Sequence, residues 1–207
     1  VSKSRMMGDE GAAALARFLP TSKIETLVMG PKATTVPVHN SEVTALDVSG
    51  QDFGSAEVVL LAGALAASEG LMAKMVSLDV SKNPMIGVPT AAAKAGAVTT
   101  AKAAKGAWAE LGGRWGEITE VYSDGSVKLR WFDDGSTSGN TKAASLGSVV
   151  ASKTDLSFDR SHLQALFGAI GGLGALARLN LSAIGLEAGG AAVLSGGLAS
   201  LTAAAGG

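Results

Sequence analysis

Four stretches of the chain repeat one short pattern of hydrophobic and polar positions. They are "IETLVMG" at 24–30, "VTALDVSG" at 43–50, "MVSLDVSKN" at 75–83 and "LARLNLSA" at 176–183. Each places a leucine, one spacer and a second hydrophobic residue in step: Leu27/Met29, Leu46/Val48, Leu78/Val80 and Leu179/Leu181. Alternation over so few residues predicts a short strand with one buried face. Longer amphipathic stretches accompany these strands and predict helices over 8–19, 55–68, 159–170 and 186–200. Within the third, Leu163, Leu166, Phe167 and Ile170 fall on one helical face.

The spacing between the strands is uneven. Between Met29 and Val43, "PKATTVPVHNSE" is too short for a helix and carries two prolines, so a loop is expected there. Leu78 and Leu179 stand 101 positions apart. One strand–helix unit accounts for about 28 of these, leaving roughly 70 for something else. The excess opens with "VPTAAAKAGAVTTAKAAKGA" (88–107), a low-complexity segment that reads as a linker.

After it comes "RWGEITEVYSDGSVKLRWFDDG" at 114–135, a β-hairpin by its alternation and its Asp-Gly turns. Val127, Leu129 and Trp131 are expected on one side, Lys128, Arg130 and Phe132 on the other. With "GAWAELGG" before and "STSGNTKAASL" after, the block predicts four or five short strands, enough for a small barrel. The organisation expected is therefore residues 1–87 as the first part of a repeat array, 88–107 as linker, 108–153 as inserted barrel, and 154–207 as the array's second part.

The repeated strand-and-helix unit resembles the ribonuclease-inhibitor class of leucine-rich repeats, most closely in "MMGDEGAAALARFLPTSKIETL" and "LARLNLSAIGLEAGGAAVLSGGLASL". The resemblance implies an α/β solenoid of parallel strands with outer helices. It also implies an asparagine after the strand, which stands here only as Asn83; Gly50 and Ala183 occupy comparable places, so the loop hydrogen-bond ladder is expected to be weakened. The inserted block resembles a Tudor-type, SH3-like barrel from "AWAELGGRWGEITEVYSDGSVKLRWFDDGS" on to Leu146. That resemblance implies an aromatic cage for methylated lysine or arginine, yet Gly116 and Asp134 replace two of the aromatics such domains commonly carry. Trp108, Trp115, Tyr122, Trp131 and Phe132 remain, most of them expected in the barrel core. Trp115, Tyr122, Arg130 and Phe132 are the candidate contacts on the barrel, Phe132 foremost because it is expected to face outward.

Solenoid strands line a concave face. The alternation puts Thr26 and Val28, Ala45 and Asp47, Ser77 and Asp79, and Arg178 and Asn180 on it. Two aspartates on neighbouring strands repel one another, which points to a basic group on a partner.

Composition narrows the function classes. The 207 residues carry a formal charge of −1 and no cysteine, which removes thiolate chemistry and zinc–thiolate sites. Between 88 and 153 basic residues barely outnumber acids, so no phosphate-binding stripe and no nucleic-acid partner is expected. The longest apolar run, "LQALFGAIGGLGALA" from Leu163, falls short of the ~20 residues of a membrane span. His39 and His162 lack companion ligands at metal spacing and read as surface residues. The Asp133-Asp134 pair is explained by a turn, and "GGLGALA" follows a helix where a dinucleotide loop must follow a strand. No nucleophile–base set stands at a recognisable spacing.

The expectation is a non-enzymatic interaction or scaffold protein, a subunit of a larger assembly, with other proteins as partners. No cofactor, metal or small-molecule substrate is expected. The alternative is a reader of modified or basic protein tails through the barrel. The chain begins with Val1, so a removed leader or a longer parent is expected. The compartment stays open, intracellular favoured; the alanine- and glycine-rich style resembles proteins of unicellular algae, which keeps a plastid complex in view.

Overall fold

The computed structural model describes residues 8–83, 88–93, 103–132, 135–186 and 188–204. In chain order the elements are α1 (Asp9–Phe18), β1 (Thr26–Met29), β2 (Thr34–Pro37), β3 (Ala45–Asp47), α2 (Ser55–Ala66), α3 (Glu69–Lys74) and β4 (Ser77–Asp79). Next come β5 (Val88–Ala93), β6 (Trp108–Leu111), β7 (Arg114–Val121), β8 (Ser126–Trp131), β9 (Thr141–Lys142), β10 (Val149–Val150) and β11 (Leu156–Asp159). The chain ends through α4 (Ser161–Gly171), β12 (Arg178–Asn180) and α5 (Ala188–Ala204). The fold is mixed α/β, and it divides into two compact units: Val1–Gly87 with Arg160–Gly207, and Val88–Asp159.

In the first unit the three strands β3, β4 and β12 form a parallel sheet with β4 in the middle. Leu46, Leu78 and Leu179 are register partners across it. Their side chains enter one core with Val48, Val80, Phe53, Leu65, Leu163 and Phe167. Helix α2 is apolar around its circumference and buries Val58, Leu60, Leu61, Ala64 and Leu65, as a helix covered on several sides must. Helices α1 and α4 both pack on it, and α5 packs on α4. The first of these contacts is close: a Cβ on Gly63 would stand 2.5 Å from Ala16 Cβ and 2.8 Å from its Cα.

Beyond the strands the backbone ladder continues into the turns. Val48 N–H donates to Asp79 O (2.9 Å) and Gly50 N–H to Ser81 O (2.8 Å); Val80 N–H donates to Asn180 O (3.1 Å) and Lys82 N–H to Ser182 O (2.9 Å). Gly50, Lys82 and Ala183, equivalent by register, all take the left-handed conformation with φ of 60°, 58° and 55°. Non-glycine residues there cost roughly 1–2 kcal/mol each, so the stacked turns must hold them.

The expected loop at 31–42 instead contains a short strand. Thr34–Pro37 pairs antiparallel with β1, Leu27 opposite Val36. Pro37 lies at the end of this two-stranded ribbon, a place where a missing N–H is tolerated. Strand β1 therefore belongs to a hairpin and not to the parallel sheet.

In the second unit β6 to β9 form an antiparallel meander, and β10 returns to pair with β6. The turn between β6 and β7 uses Gly112 and Gly113, both at positive φ (61° and 83°), as a tight two-residue hairpin requires. In the next turn Asp124 accepts from the Ser126 N–H (2.9 Å) and binds Lys142 Nζ (3.0 Å). Ala109, Ile118, Val127 and Leu129 are fully buried.

Two boundaries differ from the sequence reading. Val88–Ala93, expected as linker, is a strand paired antiparallel with Leu156–Asp159, which was expected in the repeat array. Residues 94–102 of the expected linker lie outside the described residues.

Candidate functional site

Two groups of side chains stand out, one in each unit. The first is the outward row of the parallel sheet. Strand alternation turns Leu46, Leu78 and Leu179 inward, which leaves Ala45, Ser77 and Arg178 in one row and Asp47, Asp79 and Asn180 in the next. Of the expected concave-face residues, Asp47, Ser77, Asp79, Arg178 and Asn180 are thus brought together. Thr26 and Val28 are exposed but sit on the β1–β2 hairpin, outside this sheet. Their alternation is that of a half-buried strand, which no inward–outward pattern can assign to one sheet or another.

The row of acids is held by its own turns. Asp47 Oδ1 accepts from Ser49 N–H (2.8 Å), Asp79 Oδ1 from Ser81 N–H (2.9 Å), and Asn180 Oδ1 from Ser182 N–H (3.1 Å). Asn180 Nδ2 donates to Asp79 Oδ2 at 2.8 Å. Partial burial raises the Asp79 carboxyl, but the bonds from Ser81 and Asn180 and the Lys82 charge outweigh it, and its pKa falls below the usual carboxylate value. Each side chain thus has a structural task, and the stacked acids are accounted for without a basic partner.

Asn83 lies behind this row and is fully buried. Its Oδ1 accepts from Gln51 N–H (3.0 Å) and Phe53 N–H (3.1 Å), while Nδ2 donates to Val48 O (2.8 Å) and Val80 O (3.0 Å). One side chain therefore ties the turn after β4 to the turn after β3.

The second group is aromatic. Phe132, just past β8, meets Trp108 edge-on at 5.8 Å between ring centroids and 66° between planes, and Phe158 at 5.7 Å and 48°. Lys153 Nζ lies 5.3 Å from the Phe132 centroid and 5.9 Å from that of Phe158, within the ~6 Å over which a ring face attracts a cation. All four side chains are half-buried. Phe132 is therefore not a lone outward residue but the middle of an aromatic row.

Trp115, expected as a barrel contact, is only 4% exposed and packs with Val150 and Leu156; it serves the core. Tyr122 donates its hydroxyl to Glu120, and that bond raises the phenol and lowers the carboxyl from their ordinary values. Arg130 pairs with Glu117, its register partner on β7. Tyr122 and Arg130 are thus engaged along the hairpin. Phe158 and Lys153 were missed because "SKTDLSFD" reads as the return to the repeats; the alternation of Leu156 and Phe158 was the available signal.

The histidines also differ from expectation. His162 is 3% exposed, on the inner side of α4, and His39 is half-buried with Nε2 3.0 Å from Leu19 O. Among the described residues no helix is long and apolar enough to cross a membrane, and no group of three His, Asp or Glu side chains is placed to hold a metal ion.

No protein-family model matches the chain, and neither a curated protein nor a solved structure shows significant similarity to it.

Proposed function

We propose that the chain is a non-catalytic interaction scaffold, a subunit of a larger protein assembly, built as a short leucine-rich array that carries an inserted Tudor-like barrel. The observation that carries this reading is the register-matched face of β3, β4 and β12 together with the edge of β12. Three strands repeat one turn geometry, which is how repeat arrays present a continuous surface. At the end of the row, Leu179 is half-buried where Leu78 is 1% exposed, and β12 has no strand beyond it among the described residues. An open edge with a partly covered core residue is a place for protein to dock.

The test is quantitative co-purification of the tagged chain against a variant carrying Ala45→Lys and Arg178→Glu. Both residues are exposed on the outward row and neither is in the core, so folding should be kept. The reading expects a defined set of proteins recovered with the native chain and depleted with the variant. Equal recovery from both, or elution of the native chain as a lone monomer, would remove it.

A second reading, recognition of modified or basic protein tails by the barrel, is favoured by one observation: the row Trp108, Phe132 and Phe158 already holds an ammonium group. An array of lysine- and methyllysine-bearing peptides tests it directly, and absence of any methyl-dependent signal counts against it.

A further inference from the structure

We infer that the open edge of β12 is an interface between two copies of this chain, whose β12 strands pair antiparallel about a two-fold axis at Leu179. Pairing of copies deepens the scaffold reading above and rests on it, since that reading makes this edge a docking place; a second copy is its occupant.

The backbone defines the edge. Arg178 N–H donates to Val76 O (3.0 Å), Asn180 O accepts from Val80 N–H (3.1 Å), and Ser182 O from Lys82 N–H (2.9 Å). Residues 178, 180 and 182 therefore aim these groups at β4. Alternation turns the N–H and C=O of Leu179 and Leu181 the other way, where no strand lies among the described residues. The core opens on the same side. Leu179 and Leu181 are half-buried, whereas Leu78 and Val80, one strand inward, are 1% and 0% exposed. Helices α1, α2, α4 and α5 pack in that order, so the helix layer ends there too, on α5. Small residues stand exposed along it, at Ala191, Ala192, Ser195, Gly196 and Ala199, and small side chains let a second helix approach closely.

Charge selects the occupant and its direction. The outward rows read Ala45, Ser77, Arg178 and Asp47, Asp79, Asn180. A second copy added in parallel through its β3 would extend the second row with two more aspartates and give Arg178 no acid. It would also leave a new open edge, and so build a filament. Antiparallel pairing with Leu179 opposite its own equivalent sets Arg178 of each copy opposite Asn180 of the other. Each acid row then ends on an arginine. Asp79 lies one strand spacing, about 4.8 Å, behind Asn180, and Asn180 Nδ2 already holds its Oδ2 at 2.8 Å. The arginine side chain is long enough to reach that carboxylate over Asn180. The arrangement is self-complementary, as a closed two-fold interface requires. Two strands of three residues fall short of the ~1,200 Å² of a stable interface. The α5 helices must add to them, and a reversible, concentration-dependent dimer is expected.

The experiment uses the full chain as native protein, Arg178→Glu, Leu179→Cys and Val121→Cys, each checked for folding by circular dichroism. Sedimentation equilibrium over a concentration series should give a monomer–dimer equilibrium for native chain, weakened by added salt. Arg178→Glu, an exposed substitution that leaves the core alone, should raise the dissociation constant about tenfold, since two ion pairs become repulsive. The chain has no cysteine, so each cysteine variant carries a single thiol. Cys at 179 would face its equivalent with Cα atoms about 5.5 Å apart, which suits a disulfide, and mild oxidation should link it into dimers. Val121, exposed on the other unit, reports chance collisions, and its variant should stay largely unlinked. A dimer that Arg178→Glu leaves unchanged, or linkage no greater at 179 than at 121, overturns the edge pairing. A native chain that is monomeric at every concentration overturns it as well. In each case the scaffold reading is decided separately, by the proteins recovered from cell extract.

Discussion

Leu78 and Leu179 face the same core as register partners on adjacent parallel strands, although the whole of the unit Val88–Asp159 is threaded between them in the chain. Their environments are unequal. Leu78 has a strand on either side and is 1% exposed, whereas Leu179 lies on the outermost strand and is half-buried. Truncation to alanine should register that difference. Leu78→Ala is expected to cost about 3–4 kcal/mol, Leu179→Ala about half as much, because loss scales with the area removed from water and the cavity left. Urea denaturation of the two variants gives the comparison.

Asn83 supports the sheet by another route. Alanine at 83 would leave two amide donors, that of Phe53 buried and that of Gln51 partly so, and three carbonyls without their side-chain partner. With about 1–3 kcal/mol for each buried group left unsatisfied and partial relief from water, a loss near 3 kcal/mol is expected. That corresponds to a fall in Tm of roughly 10 °C for a chain of this size. Asn83→Asp is informative beside it, since it keeps the acceptor but removes the donor to Val48 O and Val80 O; it should be no more stable than the alanine variant.

These two residues also mark how far the sequence could be read. The Leu-x-hydrophobic step located β3, β4 and β12, because a period of two over a buried core leaves little freedom in which residues turn inward. It did not separate β1 from them, since Leu27 and Met29 satisfy the same rule in an antiparallel ribbon. Strand β5 escaped because "VPTAAA" has weak strand-forming residues; its pairing with β11 is a long-range contact that local propensity does not encode. The aromatic row was half legible. Phe132 follows from alternation along β8, but Phe158 reaches it only through the folding of β11 into the same unit.

Asp79 ties stability to pH. Its folded pKa lies below the unfolded value, so its bonds to Ser81 and Asn180 add stability that is full above the unfolded carboxylate range and is lost as pH falls through the folded value. Asp79→Asn should therefore be less stable than native chain at pH 7, with the gap narrowing as pH falls below the ordinary carboxylate range. Thermal melts of both proteins across pH 2.5 to 7 measure it; a gap that does not depend on pH would show that the carboxylate charge plays no part.

Gly63 tests the helix layer. Alanine is the better helix former by about 1 kcal/mol, yet its Cβ would meet Ala16 backbone at 2.8 Å. Overpacking of this kind costs about 1–3 kcal/mol, and here the obstructing atoms belong to a helix axis and cannot rotate away. Gly63→Ala should lower stability by about 1 kcal/mol net, and Gly63→Val by more. A gain in Tm for Gly63→Ala would mean that α1 and α2 do not approach so closely.

The account depends most on β4 and β12 lying side by side. The chain has no cysteine, so Ser77→Cys with Arg178→Cys introduces its only two thiols, at register-partner positions whose neighbouring strands lie about 4.8 Å apart, within reach of a disulfide. Mild oxidation of the dilute protein, read by intact mass and non-reducing electrophoresis, should give a monomer that has lost both free thiols and migrates faster than its reduced form. Two thiols that stay free, or that link only between molecules, would contradict the parallel pairing of the two segments.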